Sequence, residues 1–376
     1  MRRGHKARPV EWLVEKGIFL VSLSAIVMVF LIFVFVAREA FPIVTGKMNS
    51  AAVRPALEVS ALDKMNEAEI KDYLELTPKQ FRQLDKDALK ALMEVKVDEM
   101  KNASTDKDAK INTTEWKYLL KPYQWSGYKK PEYIWQPVST IRKYNIIPLL
   151  IGSLKITLVA LLFSVPLALG AAIYVSQLAP GWLREWLKPA VELLSSLPSV
   201  VVGFMALAVM AVPLQHFFGF KTPLNAFVAG ISLAFAVIPV VFSIAEDALT
   251  SVPRAFSQAA LALGASKWQA AWQVVLPAAI PGVFAAVVLG FGRAIGETMV
   301  VLMASGNASI VSWSAFDSTR SITATIASEL AEAVFGGHHY RILFMLGALL
   351  FAVTFISNMV ASQVIMRLKT RLEGKV

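Results

Sequence analysis

The 376-residue chain contains no cysteine. That excludes a disulfide framework, thiol chemistry and any cysteine-ligated metal. Charge is also scarce, at 17% of residues, where a soluble globular protein carries about 25%. Histidine occurs four times. The one adjacent pair, His338-His339, has no partner at ligand spacing, so it is expected at the surface of an outer loop and no metal site is expected. What is abundant is apolar: 56% of the residues are hydrophobic, and mean hydropathy is +0.56. This balance argues against a soluble enzyme. Nucleic-acid binders share a net charge of +10 but not this hydropathy, so the excess reads as a topology signal at a membrane.

The scarcity of charge is uneven. Residues 39–145 hold 18 Lys/Arg and 16 Asp/Glu, about a third of that segment, as in a soluble domain. The remaining 269 residues hold 19 and 11, so +8 of the net charge sits in the hydrophobic part. Its first apolar run, Gly17–Val36, is twenty residues long and spans a bilayer core of about 30 Å at about 1.5 Å per residue. It is too long for a signal peptide and is followed by Arg38-Glu39, so it reads as an uncleaved anchor. Further runs cover Leu154–Val175, Val191–Val212, Leu224–Ala245, Pro277–Leu302 and Ile342–Ile365. All are too long for strands of a membrane barrel. The expected fold is therefore an all-α integral membrane protein with six spanning helices. Three parts follow: residues 1–38 with the first span, an insertion at 39–145, and a five-helix core at 146–376.

Lys/Arg cluster before the first span (Arg2, Arg3, Lys6, Arg8, Lys16) and after the last (Arg367, Lys369, Arg371, Lys375). Both ends are expected in the cytoplasm, which requires an even number of spans. The loops 176–190 and 246–276 then face the cytoplasm, and the insertion lies outside. Lys155, at the rim of its run, reads as an interfacial anchor.

The insertion reads as mostly helical. Thr77-Pro78 is a helix start, and Phe81, Leu84, Ala88, Leu89, Leu92 and Met93 recur at helical spacing behind it. Asn66–Leu76 and Thr114–Leu120 read as shorter helices, and Asn102–Asp108 as a loop. The tail is aromatic, from Trp116 to Trp135. A small core with an interfacial belt accounts for it; a docking surface for an external partner is the alternative. Asn112-Thr113-Thr114 has the form of a glycosylation triplet, relevant only in a eukaryotic secretory route.

The most informative stretch lies between the fourth and fifth runs. Gln258-Ala259-Ala260 is followed after three residues by Gly264, and Leu276-Pro277 closes the pattern. Small residues allow another surface to approach closely. Gly264 suits a sharp turn after a short helix, and Pro277 suits the start of the next helix. From Gln258 through Pro281 this resembles the EAA loop of permease subunits of binding-protein-dependent ABC importers, except that Gln258 stands where the family usually has Glu. The resemblance implies a type I permease architecture. It also implies a coupling helix, within 246–276, that sits in a groove of a separate ATPase subunit. This chain has no G-x-x-x-x-G-K-[ST] loop, since Gly46-Lys47 is followed by Met48. ATP and Mg would thus be bound by the partner subunits, and the chain itself is not expected to be an enzyme or to hold a cofactor.

Arg293 and Glu297 fall inside the fifth run, four residues apart, where they share a helix face and can pair. A charge at such a depth costs about 2.5–3.5 kcal/mol on insertion scales and marks a functional candidate. Arg293 would meet an anion in the pathway, with Glu297 holding it in place. The Gly292-x-x-x-Gly296 step reads as close helix packing. Ser195, Ser196 and Ser199, around Pro198, are weaker pathway candidates; helix-end hydrogen bonding is the plainer account of them.

Arg293-Ala-Ile-Gly-Glu-Thr-Met299 is similar to the corresponding stretch of phosphate-importer permeases. Lys143–Lys155, Thr325–Glu329 and His339-Tyr340 agree with it. The Glu-Thr-Met ending and Arg38-Glu39-Ala40 resemble the PstC type more than the PstA type. The likeness covers about residues 11–40 and 140–370, and not the insertion. It implies import of inorganic phosphate across a bacterial inner membrane, with a related PstA-like permease subunit, two cytoplasmic ATPase subunits and an extracytoplasmic phosphate-binding protein. No nucleic acid partner is implied. Competing readings are the same machine with another oxyanion or small solute, an ion-coupled secondary transporter using Arg293 and Glu297 as a proton relay, and a scaffold whose insertion senses an external ligand.

Overall fold

All six apolar runs become helices long and apolar enough to cross a membrane. The structure is a computed structural model, and it describes residues 9–46, 48, 57, 64–74, 76, 78–104, 107–139 and 141–372. The basic residues from Arg2 to Arg8, Thr77 and Lys375 lie outside these.

Helix α1 (Pro9–Val44) contains the first run and extends it at both ends. The side chains along its middle are exposed. Only its final turns are packed: Phe33 and Phe35 meet Phe351 and Phe344 at ring distances of 5.1 and 5.5 Å, and Ala40 and Ile43 are buried.

The insertion holds α2 (Glu67–Leu74), α3 (Pro78–Gln83), α4 (Lys86–Ser104) and α5 (Trp116–Leu120). The single long helix expected from Pro78 is two. Asp85 ends the first by capping the second, its Oδ1 accepting from the Ala88 N–H at 2.8 Å; a side chain that competes for backbone N–H groups favours a cap over a helix interior. Helix α4 also runs further than expected, into the stretch assigned to a loop. The aromatic tail is largely core. Tyr118, Tyr123 and Trp125 pack edge to face, around Asp108, whose carboxylate accepts from Tyr123 Oη and the Ser126 N–H. Strands β1 (Trp135–Gln136) and β2 (Lys143–Tyr144) form an antiparallel ribbon. Trp135, Tyr144 and Leu119 share one core with Ala40, Ile43, Ile342 and Leu346, so the insertion is fused to the first and last spans. The Asn112 triplet is occupied internally: Thr114 Oγ1 donates to Asn112 Oδ1 at 2.7 Å, and Asn112 Nδ2 donates to the Met48 carbonyl.

The second span is α6 (Ile147–Ile173), which ends in a π-helical turn, Tyr174–Leu178. Helix α7 (Gly181–Leu194) follows. The third span is α8 (Ser199–Met205), a π-helical turn and α9 (Ala211–Phe218). It starts at Ser199, not Val191, because Pro198 disfavours helix in Leu197 before it; the residues from Val191 belong to α7. The fourth span is α10 (Ala226–Ser251).

Helix α10 is the centre of the bundle and the most buried of the six spanning helices. It packs on α6 and on the fifth span because glycines stand at the contacts. A Cβ at Gly230 would collide with Val159, one at Gly290 would lie 2.5 Å from Val241, and one at Gly282 would collide with Ala248. At its start, Asn225 accepts from the Val228 N–H, and the Ala226 and Phe227 N–H groups donate to Asp317 and Ala315 carbonyls. Loop 305–320 therefore closes this end of the bundle. Lys155 is part of that closure. It is 7% exposed, with Nζ donating to the Ser312 and Ser314 carbonyls at 3.1 and 2.9 Å. It is a buried tie rather than an interfacial anchor.

Candidate transport site and coupling segment

The segment expected to couple to the ATPase comprises α11 (Arg254–Ala262) and α12 (Lys267–Ala270). Helix α11 stops as its small residues and Gly264 dictate. Gly264 has φ +89°, its N–H bonds the Leu261 carbonyl, and the Ala265 N–H bonds the Ala260 carbonyl. These are the two bonds of a Schellman cap. No atom lies within 4 Å of a Cβ at Gly264, so its backbone angle, and not crowding, requires glycine. Ser266 and Gln269 then form a reciprocal capping box that starts α12.

Gln258 and Ala259 are exposed, and Ala260 is buried. Phe256, Leu263, Trp268 and Trp272 leave an apolar surface around them, Leu263 at 90% exposure, and the two indoles are stacked at 5.7 Å. The helix runs on from Lys267 through a π-helical turn, Ala271–Val275, into α13 (Leu276–Gly296). Pro277 stands in the first turn of α13 as expected, although the helical span reaches back to Lys267. The π turn accommodates its missing N–H inside a longer helix, with Leu276 half-buried and Pro277 exposed.

Helix α13 ends at Gly296, before the expected Leu302. Glu297 is extended (ψ 134°), and α14 (Met299–Ala304) restarts beyond it. The break is held from elsewhere in the chain: Thr323 Oγ1 donates to the Glu297 carbonyl at 2.8 Å, at the start of α15 (Ile322–Glu329). The extended residue carries its side chain off the α13 face. Glu297 Oε1 instead accepts from the Thr298 N–H, and no ion pair joins it to Arg293 among the described residues. Arg293 Nε donates to the Ala236 carbonyl at 3.2 Å. Ala236 lies ten residues into α10, about 15 Å along it, so the guanidinium sits near mid-depth. Arg293 is exposed, as is Gly296, around whose Cβ position no atom lies within 4 Å. At Gly292 the nearest atom is 4.0 Å away. Gly296 thus lies on an open face of this chain, and Gly292, half-buried, has only the Asn358 side chain at contact distance.

The three serines occupy the link between α7 and α8. Ser195 and Ser196 donate to the Glu192 and Leu193 carbonyls at 2.6 and 2.7 Å, finishing α7, and Ser199 opens α8. No hydrogen bond links any of them to Arg293 or Glu297 among the described residues.

Two ionic clusters escaped the sequence reading because their members are far apart in the chain. Glu246, 1% exposed, pairs with Arg184 and with Lys188 at 2.7 Å. These bonds raise the Lys188 pKa, with the Glu246 hydrogen bond the largest cause. At the insertion end, Glu329 pairs with Arg320 at 2.9 Å and accepts from Trp135 Nε1; His339 Nε2 lies 3.3 Å away, but burial pushes that imidazole's pKa down to about 4, so it adds no charge at neutral pH. Burial raises the Glu329 pKa despite Arg320. His339, expected at the surface, is half-buried in the first turn of α16 (His338–Leu372) and stacks on Tyr144.

A family model described as "Binding-protein-dependent transport system inner membrane component" matches residues 164–371. The chain is 33% identical over 222 residues to the probable ABC transporter permease protein YqgH of Bacillus subtilis, covering 59% of this chain and 72% of that protein. It is 34% identical over 261 residues to the phosphate transport system permease protein PstC of Pasteurella multocida, covering 64% and 80%. A solved inward-facing form of the MetNI methionine ABC transporter aligns at a TM-score of 0.47 and 17% identity, over 59% of this chain and 97% of that one. With a family match across more than half of its length, on a chain of six spanning helices, this protein belongs to the binding-protein-dependent transport system inner membrane components.

Proposed function

We propose that this chain is a transmembrane subunit of an ATP-driven importer of inorganic phosphate. Its relatives named for phosphate transport support the cargo. The observation that carries the reading is Arg293, a fixed cation at mid-depth on an open face, beside a broken helix. Broken spans place polar groups where a solute crosses, and an oxyanion needs such a cation or convergent donors. A second, related permease subunit of the PstA type faces Arg293 across the pathway. An external phosphate-binding protein delivers the anion at the insertion end. Two cytoplasmic ATPase subunits bind ATP and Mg and push on the surface around Gln258, Ala259 and Gly264. The chain itself hydrolyses nothing. It lies in a bacterial inner membrane with both termini in the cytoplasm and the insertion outside.

Uptake of radiolabelled phosphate into vesicles holding the purified complex tests this. Uptake is expected to require ATP and to be outcompeted by unlabelled phosphate but not by sulfate. Uptake without the ATPase subunits would contradict the class, and preference for sulfate would contradict the cargo.

A further inference from the structure

The link between the second and third spans carries a helix whose one broad apolar face is only partly covered by the bundle. Along α7, accessibility alternates with the helical period. Leu183, Leu187, Val191 and Leu194 are half-buried, while Trp182, Trp186 and Leu193 are 67%, 75% and 67% exposed. Among the described residues, the two indole N–H groups have no hydrogen-bond partner. The helix is fixed against the bundle by its cations, which turn inward: Arg184 and Lys188 reach the buried Glu246, and Arg184 Nη2 also donates to Thr250 Oγ1 at 3.2 Å.

Glu246 fixes the depth of α7. Helix α10 has 26 residues, about 39 Å, and a hydrocarbon core of about 30 Å centred on it ends about 4–5 Å short of each terminus. Glu246 lies five residues before Ser251, about 7–8 Å from the end, so its partners on α7 sit at the edge of the hydrocarbon. A ring that is apolar in its body and polar at its N–H suits that level. A helix with a large apolar face opposite a charged one lies in the interface plane.

We propose that α7 is an interfacial helix. Trp182, Trp186 and Leu193 seat in the boundary between lipid headgroups and acyl chains, and the Arg184–Glu246–Lys188 cluster ties that seat to the end of α10. The occupant of the outer face is lipid. Because both cations point inward, anionic headgroups are not needed to hold it.

The absence of cysteine makes single nitroxide labels direct. W182C, W186C and L193C, with E185C at the polar edge, are labelled in the assembled complex in phosphatidylcholine vesicles. Collisions with oxygen are expected to exceed those with a water-soluble nickel chelate at 182, 186 and 193, and the order to reverse at 185. Nickel-dominated relaxation at all four sites would place the helix in water and overturn the proposal. Protection from both reagents at 182, 186 and 193 would place a protein partner there and overturn it equally. Adding Lys188→Gln or Glu246→Gln to the 186 label should raise its nickel accessibility, while a label at Val29, in the lipid-facing middle of α1, stays oxygen-dominated. An unchanged 186 label in both variants would overturn the tether.

Discussion

Two faces of α13 carry glycines with opposite surroundings. Gly282 and Gly290 lie against α10, with Ala248 and Val241 where a Cβ would stand; Gly292 and Gly296 meet nothing closer than 4.0 Å. One helix therefore has a face that builds this chain's own bundle and a face, around Arg293, that the chain leaves open. A Gly-x-x-x-Gly spacing alone does not distinguish the two. The difference teaches that the packing glycines answer to α10, whereas the step beside Arg293 answers to whatever lies across the open face.

Gly290→Leu is the harshest way to break this contrast. Four extra carbons facing Val241 and Val237 overpack the α10 contact, at a typical cost of about 1–3 kcal/mol, and the chain is expected to be lost from the membrane fraction. Wild-type accumulation of Gly290→Leu would remove the packed side of the comparison.

Gly264→Val comes next. A β-branched residue at φ +89° costs about 1–2 kcal/mol or more and deforms the turn between α11 and α12. Co-purification of the ATPase subunits should fall severalfold while the chain still accumulates. Undiminished ATPase recovery would show that the turn's shape is immaterial.

The pattern of apolar runs made most of the bundle legible, and Gly264 marked the α11 turn, because both depend on local composition. The third span was misplaced because Val191, Leu193 and Leu194 are as apolar as a span start, and only the chain's turn at Pro198 assigns them to α7. The break after Gly296 was not legible either. It is held by Thr323, 26 residues on, and no local signal names that partner. Lys155 likewise looks like a rim lysine until loop 305–320 folds over it.

A smaller effect is expected at the insertion end. Burial raises the Glu329 pKa from 4.5, so the folded state holds this proton more tightly than the unfolded chain. The stability from that shift is complete below about pH 4.5 and is lost as pH rises through the raised value. Thermal unfolding in detergent should therefore shift down between mildly acidic and neutral pH in the wild type, and less so in Glu329→Gln. Parallel pH profiles of the two would contradict the shift. The smallest effect belongs to the open face: Gly296→Ala has free space and should change stability by less than about 0.5 kcal/mol. A large loss of thermal stability in the isolated chain would mean that this face is packed after all.

The central claim is that Arg293 meets the anion from that open face. The direct measurement is ATP-driven phosphate uptake by complexes carrying Arg293→Gln, with assembly checked by co-purification. The account predicts an intact complex whose uptake falls at least tenfold, with partial recovery in Arg293→Lys. An intact Arg293→Gln complex that imports phosphate at the wild-type rate would contradict it.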